Sequence, residues 1–497
     1  MTGNNVWIFG RFNKHTMSTL YSNMKASIIL LVFTLFLTPL SGQELQKNRV
    51  IILTDIEADP DDTQSLVRLL LYSCDINIRG LIATTSCWHK TMVNPESVEK
   101  IIHAYDKVRP NLLGHDPEYP YTAELLSLVK QGLPEYGMAG VGKEKDSEGS
   151  ELIVTELEND DDRPLWITVW GGANTLAQAL YKIRDTKPAK EVKRLVSKLR
   201  VYAISDQDDS GIWIRNNFPE LFYIVSPGDD YGSATWSAIN GYFAGTENEE
   251  ISNGWIARNI QQGHGDLGAA YPDVSWGMEG DTPSWLNLIP NGLNFPEHPD
   301  WGGWGGRYEL YRPEFSNLKK GGSGVPHEPE TREIWTDAID TYTPYISAGY
   351  GRAVKLDTVT FSDNKTSLWR WREDFQNEFA ARMDWCIKPY AETNHPPVIV
   401  LTHPERITVK SGQGFGLDAF NTTDPDGDSF SFLWFCYPEA GSYKKPVKIE
   451  GAENAHNIYI IAPIVEEEVT VHFILKVTDR GTPELSSYKR VIVTVKP

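Results

Sequence analysis

Cysteine is scarce in this chain: Cys74, Cys87, Cys386 and Cys436 are the only four among 497 residues. Four cysteines are too few for a disulfide scaffold in a chain of this length, and their spacing matches no zinc-binding motif. One disulfide bridge is compatible with the count, but the spacing assigns no pair. The sequence therefore excludes the small disulfide-rich and zinc-ribbon classes.

Clusters of Lys or Arg are also missing. The chain has 47 basic and 67 acidic residues, which gives a formal net charge of −20 at pH 7. This balance argues against nucleic acid or an anionic membrane surface as the main partner. A neutral ligand, or one that binds together with a cation, fits the charge better.

The one long apolar run lies at the N-terminus. Lys25 is followed by ASIILLVFTLFLTPLSG, residues 26–42, which is too short for a comfortable membrane span and ends in small residues. We interpret residues 1–42 as a signal peptide, with residues 1–23 as an upstream extension. An uncleaved anchor is the alternative. A signal peptide predicts a secreted or periplasmic protein without a membrane partner after cleavage.

Aromatic residues, in contrast, are abundant, with 16 Trp and 22 Tyr. Flat aromatic faces suit sugar rings, although most such side chains pack in cores. In HPDWGGWGGRYEL, residues 298–310, glycines allow tight turns, so Trp301 and Trp304 are candidates for stacking on a sugar. Arg307 would donate to hydroxyls or to a carboxylate. The alternative is an aromatic clasp that packs an insertion against the core.

Short apolar runs alternate with helical patterns over most of the chain, which is typical of βαβ units. We predict an α/β domain over residues 48–392, with an open, mostly parallel sheet and flanking helices. Ligands of such sheets bind beyond the carboxyl ends of the strands. The predicted strands are residues 50–54, 78–86, 165–170 and 199–205, and the predicted helices are residues 63–72, 95–105 and 174–183.

The pattern changes after Asn394-His395-Pro396-Pro397, which has the composition of a linker. Beyond it, apolar residues alternate at period two between turn signals, and this predicts an Ig-like or cadherin-like β-sandwich over residues 396–497. We expect residues 48–392 to fold without it.

Asp424, Asp426 and Asp428 alternate around Gly427 within the predicted sandwich. Such a run is similar to calcium-binding segments between cadherin-like modules. Asp-Gly is also a strong hairpin-turn signal. Both interpretations stay open, and we prefer the turn because a lone module lacks neighbouring ligands.

The densest group of acids lies in VIILTDIEADPDDTQSLVRLLL, residues 50–71: Asp55, Glu57, Asp59, Asp61 and Asp62. Asp59 as helix N-cap and two first-turn acids would be favoured by the helix dipole by about 0.3–1 kcal/mol each. One or two acids would satisfy that role, whereas five repel one another. A bound hard cation, calcium or magnesium, would relieve the repulsion.

The order Asp55-x-Glu57-x-x-x-Asp61-Asp62 resembles the D-x-D-x-x-x-D-D signature of the inosine-uridine-preferring nucleoside hydrolases. Together with GMEGDTPSWLNLIPNGLN and WGGWGGRYE, it resembles a secreted bacterial family with a nucleoside-hydrolase-like domain and a C-terminal sandwich, members of which are labelled cellulose-binding. The resemblance implies that Glu57 is the general base and a calcium ligand. It also implies that Asp61 holds sugar hydroxyls, that Asp62 binds calcium and that Asp55 orients its neighbours in the metal site.

The same resemblance implies further ligands. The backbone carbonyl of Trp170, before Gly171-Gly172, would complete the metal sphere, and Asn174 follows at a helix start facing the substrate. Asp281 is the expected distant ligand, with Glu279 as the alternative and as a substrate contact.

The chain also departs from the nucleoside hydrolase pattern. Trp88 follows the second strand in a segment where the family has an Asn that grips ribose, which implies a changed substrate. His264 is the candidate for leaving-group activation, and a surface-loop histidine is the alternative. The segment SDQDDSGIWIRNNFPEL stands roughly in place of the family's later sugar-binding segment and offers Asp206, Asp208, Asp209, Arg215 and Asn217.

We therefore predict a calcium-dependent hydrolase that cleaves an N- or O-linked furanosyl bond with metal-activated water. The expected partners are a carbohydrate or nucleoside, with polysaccharide as a further candidate and a homo-oligomer left open. The alternative is a non-catalytic carbohydrate-binding protein that keeps the hydrolase fold. Glu in place of Asp at position 57 and the missing Asn support that alternative.

Overall fold

A computed structural model of the chain describes Met1, Gly3 and residues 47–244, 246, 248–318, 321–344 and 359–497. The predicted signal peptide lies outside the described residues, apart from Met1 and Gly3. Residues 1–46 and residues 47–497 separate into two units, and the description below concerns the second. Among the helices that are described, none is long and apolar enough to cross a membrane.

The main sheet has eight strands in the order β3-β2-β1-β4-β5-β6-β8-β7, and all neighbours are parallel except the edge pair β7 and β8. β1 is buried along its whole length, as expected for a parallel strand covered on both faces. The predicted α/β fold is confirmed. The strands are β1 (Arg49–Thr54), β2 (Asn77–Ala83), β3 (Val129–Gln131), β4 (Leu165–Val169), β5 (Leu199–Ala203), β6 (Phe222–Val225), β7 (Tyr308–Tyr311) and β8 (Ile334–Asp337).

Helices cover both faces of this sheet, and a two-stranded sheet of β9 (Asp340–Tyr342) and β10 (Phe361–Asp363) lies outside it. The helices are α1 (Asp61–Leu71), α2 (Pro95–Leu112), α3 (Thr122–Ser127), α4 (Glu148–Glu158), α5 (Asn174–Thr186), α6 (Ala189–Lys198), α7 (Ser210–Asn217), α8 (Asn253–Ile256), α9 (Gly265–Ala269), α10 (Pro283–Leu286), α11 (Thr366–Trp369) and α12 (Arg372–Trp385).

The strand order reverses direction between β1 and β4. In open α/β sheets, the loops that leave neighbouring strands at such a point diverge and leave a crevice at the carboxyl edge. The loops that follow β1, β4 and β5 therefore meet at one place, and this is where the acidic run begins.

The C-terminal part is a sandwich of a four-stranded sheet, β11-β17-β16-β13, and a three-stranded sheet, β12-β15-β14. Buried apolar residues of both sheets, with Trp434 among them, form a core between the two sheets. The predicted sandwich is confirmed. Its strands are β11 (Arg406–Lys410), β12 (Gly414–Asp418), β13 (Phe430–Cys436), β14 (Ile449–Glu450), β15 (Asn457–Ile461), β16 (Val469–Asp479) and β17 (Ser486–Lys496).

The sandwich packs tightly on the α/β part. Asp374 of α12 accepts hydrogen bonds from Lys476 at 2.5 Å, from Ser486 at 3.0 Å and from Tyr488. Tyr488 also belongs to the apolar core on one face of the main sheet. Removal of the sandwich would therefore expose part of this core and take these hydrogen-bond donors away from Asp374.

Candidate functional site

A cavity of about 240 Å³ opens at the carboxyl edge of the main sheet. One part of its lining is acidic and another part is aromatic. The acidic residues are Asp55, Asp59, Asp61, Asp62 and Asp281, and the aromatic residues are Trp88, Trp170, Tyr231, Trp236 and Trp276.

The acidic wall is built by the turn from β1 into α1. Asp55 directly follows β1, and Asp61 and Asp62 occupy the first turn of α1. The Thr54 hydroxyl donates to Asp62. A Cβ at Gly171 would lie 2.5 Å from Asp55 Oδ1, so only glycine lets the loop after β4 approach this carboxylate.

The carboxylates are crowded. One oxygen each from Asp59, Asp61 and Asp62 lies within 4.8 Å of the other two. Burial raises the pKa of Asp55 to about 6, and the negative charge of Asp59 adds to this increase. Burial and the neighbouring carboxylates raise the pKa values of Asp61 and Asp62 well above the usual range. A positive ion in the cavity would stabilise the charged carboxylates and so offset the effects of burial and of mutual repulsion.

Two further oxygens point to a ligand. Asp281 Oδ2 and Gln207 Oε1 are buried and have no hydrogen-bond partner among the described residues. Burial, then the charges of Asp61 and Asp62, raises the pKa of Asp281 well above its usual range. Buried donor-free oxygens beside several carboxylates form the all-oxygen environment that calcium or magnesium prefers. The residues present therefore fit a divalent cation.

The aromatic side of the cavity is open to solvent at its rim. Trp276 is 99% exposed and Trp88 is 51% exposed. Tyr231 lies between the rim and the interior, with its ring centroid 6.4 Å from that of Trp88 and 5.6 Å from that of Trp236. Exposed indole faces at a cavity mouth are suited to stacking on a sugar ring or a planar base.

Glu57 lies outside the cavity. Its backbone has φ +78°, its side chain is exposed, and its carboxylate accepts a hydrogen bond from Ser97 Oγ at 2.7 Å. A general base at position 57 would have to lie beside Asp61 and Asp62. The structure does not bring Glu57 to these residues. Asp59 lies with them instead.

The Trp170 carbonyl is already engaged. It accepts a hydrogen bond from Gln207 Nε2 at 2.5 Å, while the Trp170 indole donates to Ser284 Oγ at 3.0 Å. Trp170 lines the cavity as predicted, but its oxygen faces Gln207. The amide oxygen Oε1 of Gln207 is the free carbonyl oxygen at this position.

Four of the predicted substrate contacts have structural partners and do not line the cavity. Asn174 bridges Thr84, Thr85 and the Glu135 carbonyl. Asp208 accepts from the backbone N–H of Asn174 at 3.2 Å and of Ser210 at 2.9 Å, at the first residues of α5 and α7. Arg215 forms buried ion pairs with Asp206 and Glu330, at 2.8 and 2.6 Å. Asn217 is exposed and accepts from Arg184.

Glu279 and His264 also lie outside the cavity lining. Glu279 is fully buried and is paired with Arg68 at 2.9 Å, which leaves it no free oxygen for a sugar. His264 is buried before α9, with Nε2 at 3.4 Å from Asp384. His264 therefore neither lines the cavity nor is a surface-loop histidine.

Trp301, Trp304 and Arg307 form the predicted aromatic clasp and do not present a sugar platform. Trp301 stacks on His298 at 3.8 Å between ring centroids and meets the sandwich through His472. Trp304 is fully buried. Arg307 is paired with Asp340 at 2.5 Å. Each is enclosed by residues distant in sequence, which spacing alone does not reveal.

The structure adds five residues to the predicted site: Asp59, Gln207, Tyr231, Trp236 and Trp276. Two of them carry a local signal in the sequence. Asp59 belongs to the acidic run, where it also fits a helix N-cap, and Trp276 directly precedes the GMEGD motif that supplies Asp281. Tyr231 and Trp236 carry no comparable local signal.

The parallel sheet, the acidic turn after β1 and the distant Asp281 define a protein of the nucleoside hydrolase-like class. Residues 49–308 match the family described as "Cellulose-binding Sde182, nucleoside hydrolase-like domain". Residues 414–495 match "Cellulose-binding protein Sde0182, C-terminal domain". The chain belongs to this family, and the resemblance stated above is confirmed.

Solved structures give the same result. The chain is similar to a nucleoside hydrolase-related hypothetical protein from Saccharophagus degradans that is associated with carbohydrate metabolism, with 34% identity and a TM-score of 0.75 over 91% of this chain and 100% of that chain. The effector protein XOO4466 is 10% identical with a TM-score of 0.30, over 69% of this chain and 95% of that chain, and this likeness carries no argument. No curated protein matches the chain.

Proposed function

We propose that this protein is a secreted or periplasmic hydrolase that cleaves a furanosyl bond of a glycan-derived N- or O-glycoside with the help of calcium. The observation that carries the proposal is the cavity wall of five carboxylates, two of them flanked by glycine backbone, facing exposed indole rings. Carboxylates supply cation and hydroxyl contacts, and indoles supply a flat apolar face.

The cation would be held by Asp59, Asp62, Asp281 and the amide oxygen of Gln207. In this proposal Asp59 would serve in place of residue 57 of the nucleoside hydrolase pattern, and the amide oxygen of Gln207 would serve in place of the Trp170 carbonyl. When bound, such an ion orients sugar hydroxyls and lowers the pKa of an attacking water.

The remaining side chains have roles that need no further group. Asp61 is placed to accept hydrogen bonds from sugar hydroxyls beside the cation ligands. Asp55, which lines the acidic wall beside the cation ligands, is placed to accept a proton from water. Trp88 and Trp276 would cover the outward face of the sugar or leaving group. Direct attack by water would invert the anomeric configuration.

The size of the cavity limits the substrate. About 240 Å³ lies below the range of typical ligand pockets, about 300–1,000 Å³, so the enclosed part holds a short unit and not a polysaccharide chain. The substrate would therefore be a chain end, a side branch or a small glycoside. The printed names of the family and of the Saccharophagus degradans relative support a carbohydrate partner.

A second candidate function is carbohydrate binding without hydrolysis. Two observations favour it: Glu57 faces away from the cavity, and the Trp170 carbonyl is engaged by Gln207. A binder would keep the cation and the indole rim and would lack turnover.

The two functions differ in sugar release. The assay measures reducing sugar from nitrophenyl furanosides, nucleosides and plant-polysaccharide oligomers in millimolar calcium. Asp61→Asn should lower turnover at least about 100-fold, because a positioned polar contact in the reacting complex is lost. Glu57→Gln is the matched control and should leave turnover unchanged. If the wild type releases no sugar but binds oligomers, the binding function is correct.

A further inference from the structure

Three buried oxygens without a donor lie at the junction between the α/β part and the sandwich. They are Asn394 Oδ1, Asp424 Oδ2 and Asp479 Oδ2, and none has a hydrogen-bond partner among the residues that the structure describes. Asn394 is 5% exposed and Asp479 is fully buried. A buried oxygen without a donor is costly, and three together call for one common explanation.

Each side chain is held through its other polar atom. Asn394 Nδ2 donates to Asp479 Oδ1 at 3.0 Å and to the Pro483 carbonyl at 2.7 Å, which fixes the orientation of the amide. Asp479 Oδ1 also accepts from the N–H groups of Gly481 at 3.0 Å and Leu485 at 2.9 Å. Oδ1 of Asn394 and Oδ2 of Asp479 are thereby left free.

Asp424 follows the same pattern. Its Oδ1 accepts from the N–H groups of Asp426 at 3.0 Å and Asp428 at 2.9 Å, so the segment forms a turn. This turn is not the predicted hairpin, because β12 and β13 belong to different sheets. Gly427 in this turn has φ +82°. The turn uses one oxygen of Asp424, while the second oxygen remains buried and donor-free.

The fold brings these three segments together. Val398, just beyond the Asn394 segment, bridges Thr423, which precedes Asp424. Asp479, the last residue of β16, is paired with Phe430 at the start of β13, close to the end of the turn. His395 N–H donates to Asp426 at 2.7 Å. The linker, the 424–428 turn and the end of β16 therefore form one cluster.

We propose that Asn394, Asp424 and Asp479 bind a calcium ion at the base of the sandwich, separate from the cavity. The donor set consists only of oxygen, with two carboxylates and one amide, which suits calcium, and nearby backbone carbonyls and water would complete its shell.

The ion would fix the linker. Asn394 carries a second connection, because its carbonyl accepts from the Trp385 indole of α12 at 3.1 Å. A calcium ion shared by the linker and two sandwich segments would therefore fasten the sandwich to the α/β part through one residue. Without the ion, the two carboxylates repel and the junction opens more readily.

Calorimetric titration of calcium into the chelator-treated full chain tests this proposal. Asp424→Asn keeps Oδ1, and so the turn, but replaces Oδ2 with an amide nitrogen, which cannot bind a cation. This variant should bind one calcium equivalent fewer than the wild type. Glu484→Gln is the matched control, since Glu484 is an exposed acid beside the cluster, paired with Arg480, and should bind as the wild type does.

The cavity and junction ions are distinguished by Asp62→Asn, which should keep the junction equivalent. In excess chelator, Asp424→Asn should melt no lower than the wild type, because it removes one of the two repelling carboxylates, whereas in calcium the wild type should melt higher. Asn394→Ala should repeat the loss of one equivalent. Equal stoichiometry in the wild type and Asp424→Asn, or no calcium bound by Asp62→Asn, would overturn the proposal.

Discussion

We expect Trp304 to be a structural tryptophan and Trp276 to be a ligand-binding one, and replacing each with alanine tests this assignment. Trp304 is 0% exposed, its ring centroid lies 6.1 Å from that of Phe375 and 6.3 Å from that of Tyr488, and its backbone N–H donates to Asn294 Oδ1 at 2.9 Å. Removing a buried indole loses its transfer energy and leaves a cavity, which costs about 3–5 kcal/mol. Burial of about 200 Å² at about 25 cal/mol per Å² gives a similar value, about 5 kcal/mol.

Trp276→Ala should behave in the opposite way. The side chain is 99% exposed at the cavity rim, so the free energy of unfolding should change by no more than about 0.5 kcal/mol. Loss of stacking should weaken carbohydrate binding by about two- to tenfold, since aromatic contacts of this kind contribute about 0.5–1.5 kcal/mol.

The assay combines urea denaturation, followed by Trp fluorescence and circular dichroism, with oligosaccharide binding by calorimetry. The prediction is a large stability loss without direct effect on the site for Trp304→Ala, and a binding loss without stability loss for Trp276→Ala. A Trp304→Ala variant that is as stable as the wild type but no longer binds carbohydrate would refute this assignment and restore the role predicted from sequence.

Three further predictions concern stability. Burial raises the pKa of Asp208 from 3.8 to about 6, so this group contributes about 3 kcal/mol to the free energy of unfolding below pH 4, and the contribution is lost as the pH rises to about 6. In urea titrations, Asp208→Asn should gain this amount in stability relative to the wild type over that pH range, and a constant difference would contradict the prediction. A chain ending at residue 392 should aggregate or lack a cooperative thermal transition, because Tyr488 and Ile492 leave the shared core; a soluble, cooperatively melting fragment would show that residues 48–392 fold alone. Asp374→Ala should cost about 3–5 kcal/mol in denaturant titrations by leaving Lys476 unpaired at the junction, and a cost below 1 kcal/mol would show that this pair does not hold the sandwich.

The features that sequence predicted correctly are local. The acids after β1 follow a strand and begin a helix, and that geometry places Asp55, Asp61 and Asp62 at one edge of any parallel sheet. The sandwich strands were visible because their alternation of apolar residues is also local. Asp281 was reached through the family resemblance, and it does line the same cavity.

Features that depend on backbone direction or distant packing were missed. Spacing places Glu57 among the acids, but φ +78° turns its side chain toward Ser97 and leaves Asp59 inward. The glycines around Trp301 and Arg307 made these residues candidates for contact with a sugar. In the structure, the sandwich covers Trp301 and the segment around Asp340 covers Arg307. No local pattern carries that information.

The central claim is that the acidic wall holds a cation that in turn holds a sugar. It is tested most directly by a crystal structure of the full chain soaked with calcium and a pentose. The proposal predicts calcium bound by Asp59, Asp62 and Asp281, with two sugar hydroxyls in the metal shell. A sugar bound in the cavity without calcium, or calcium bound there without contact to the sugar, would contradict it.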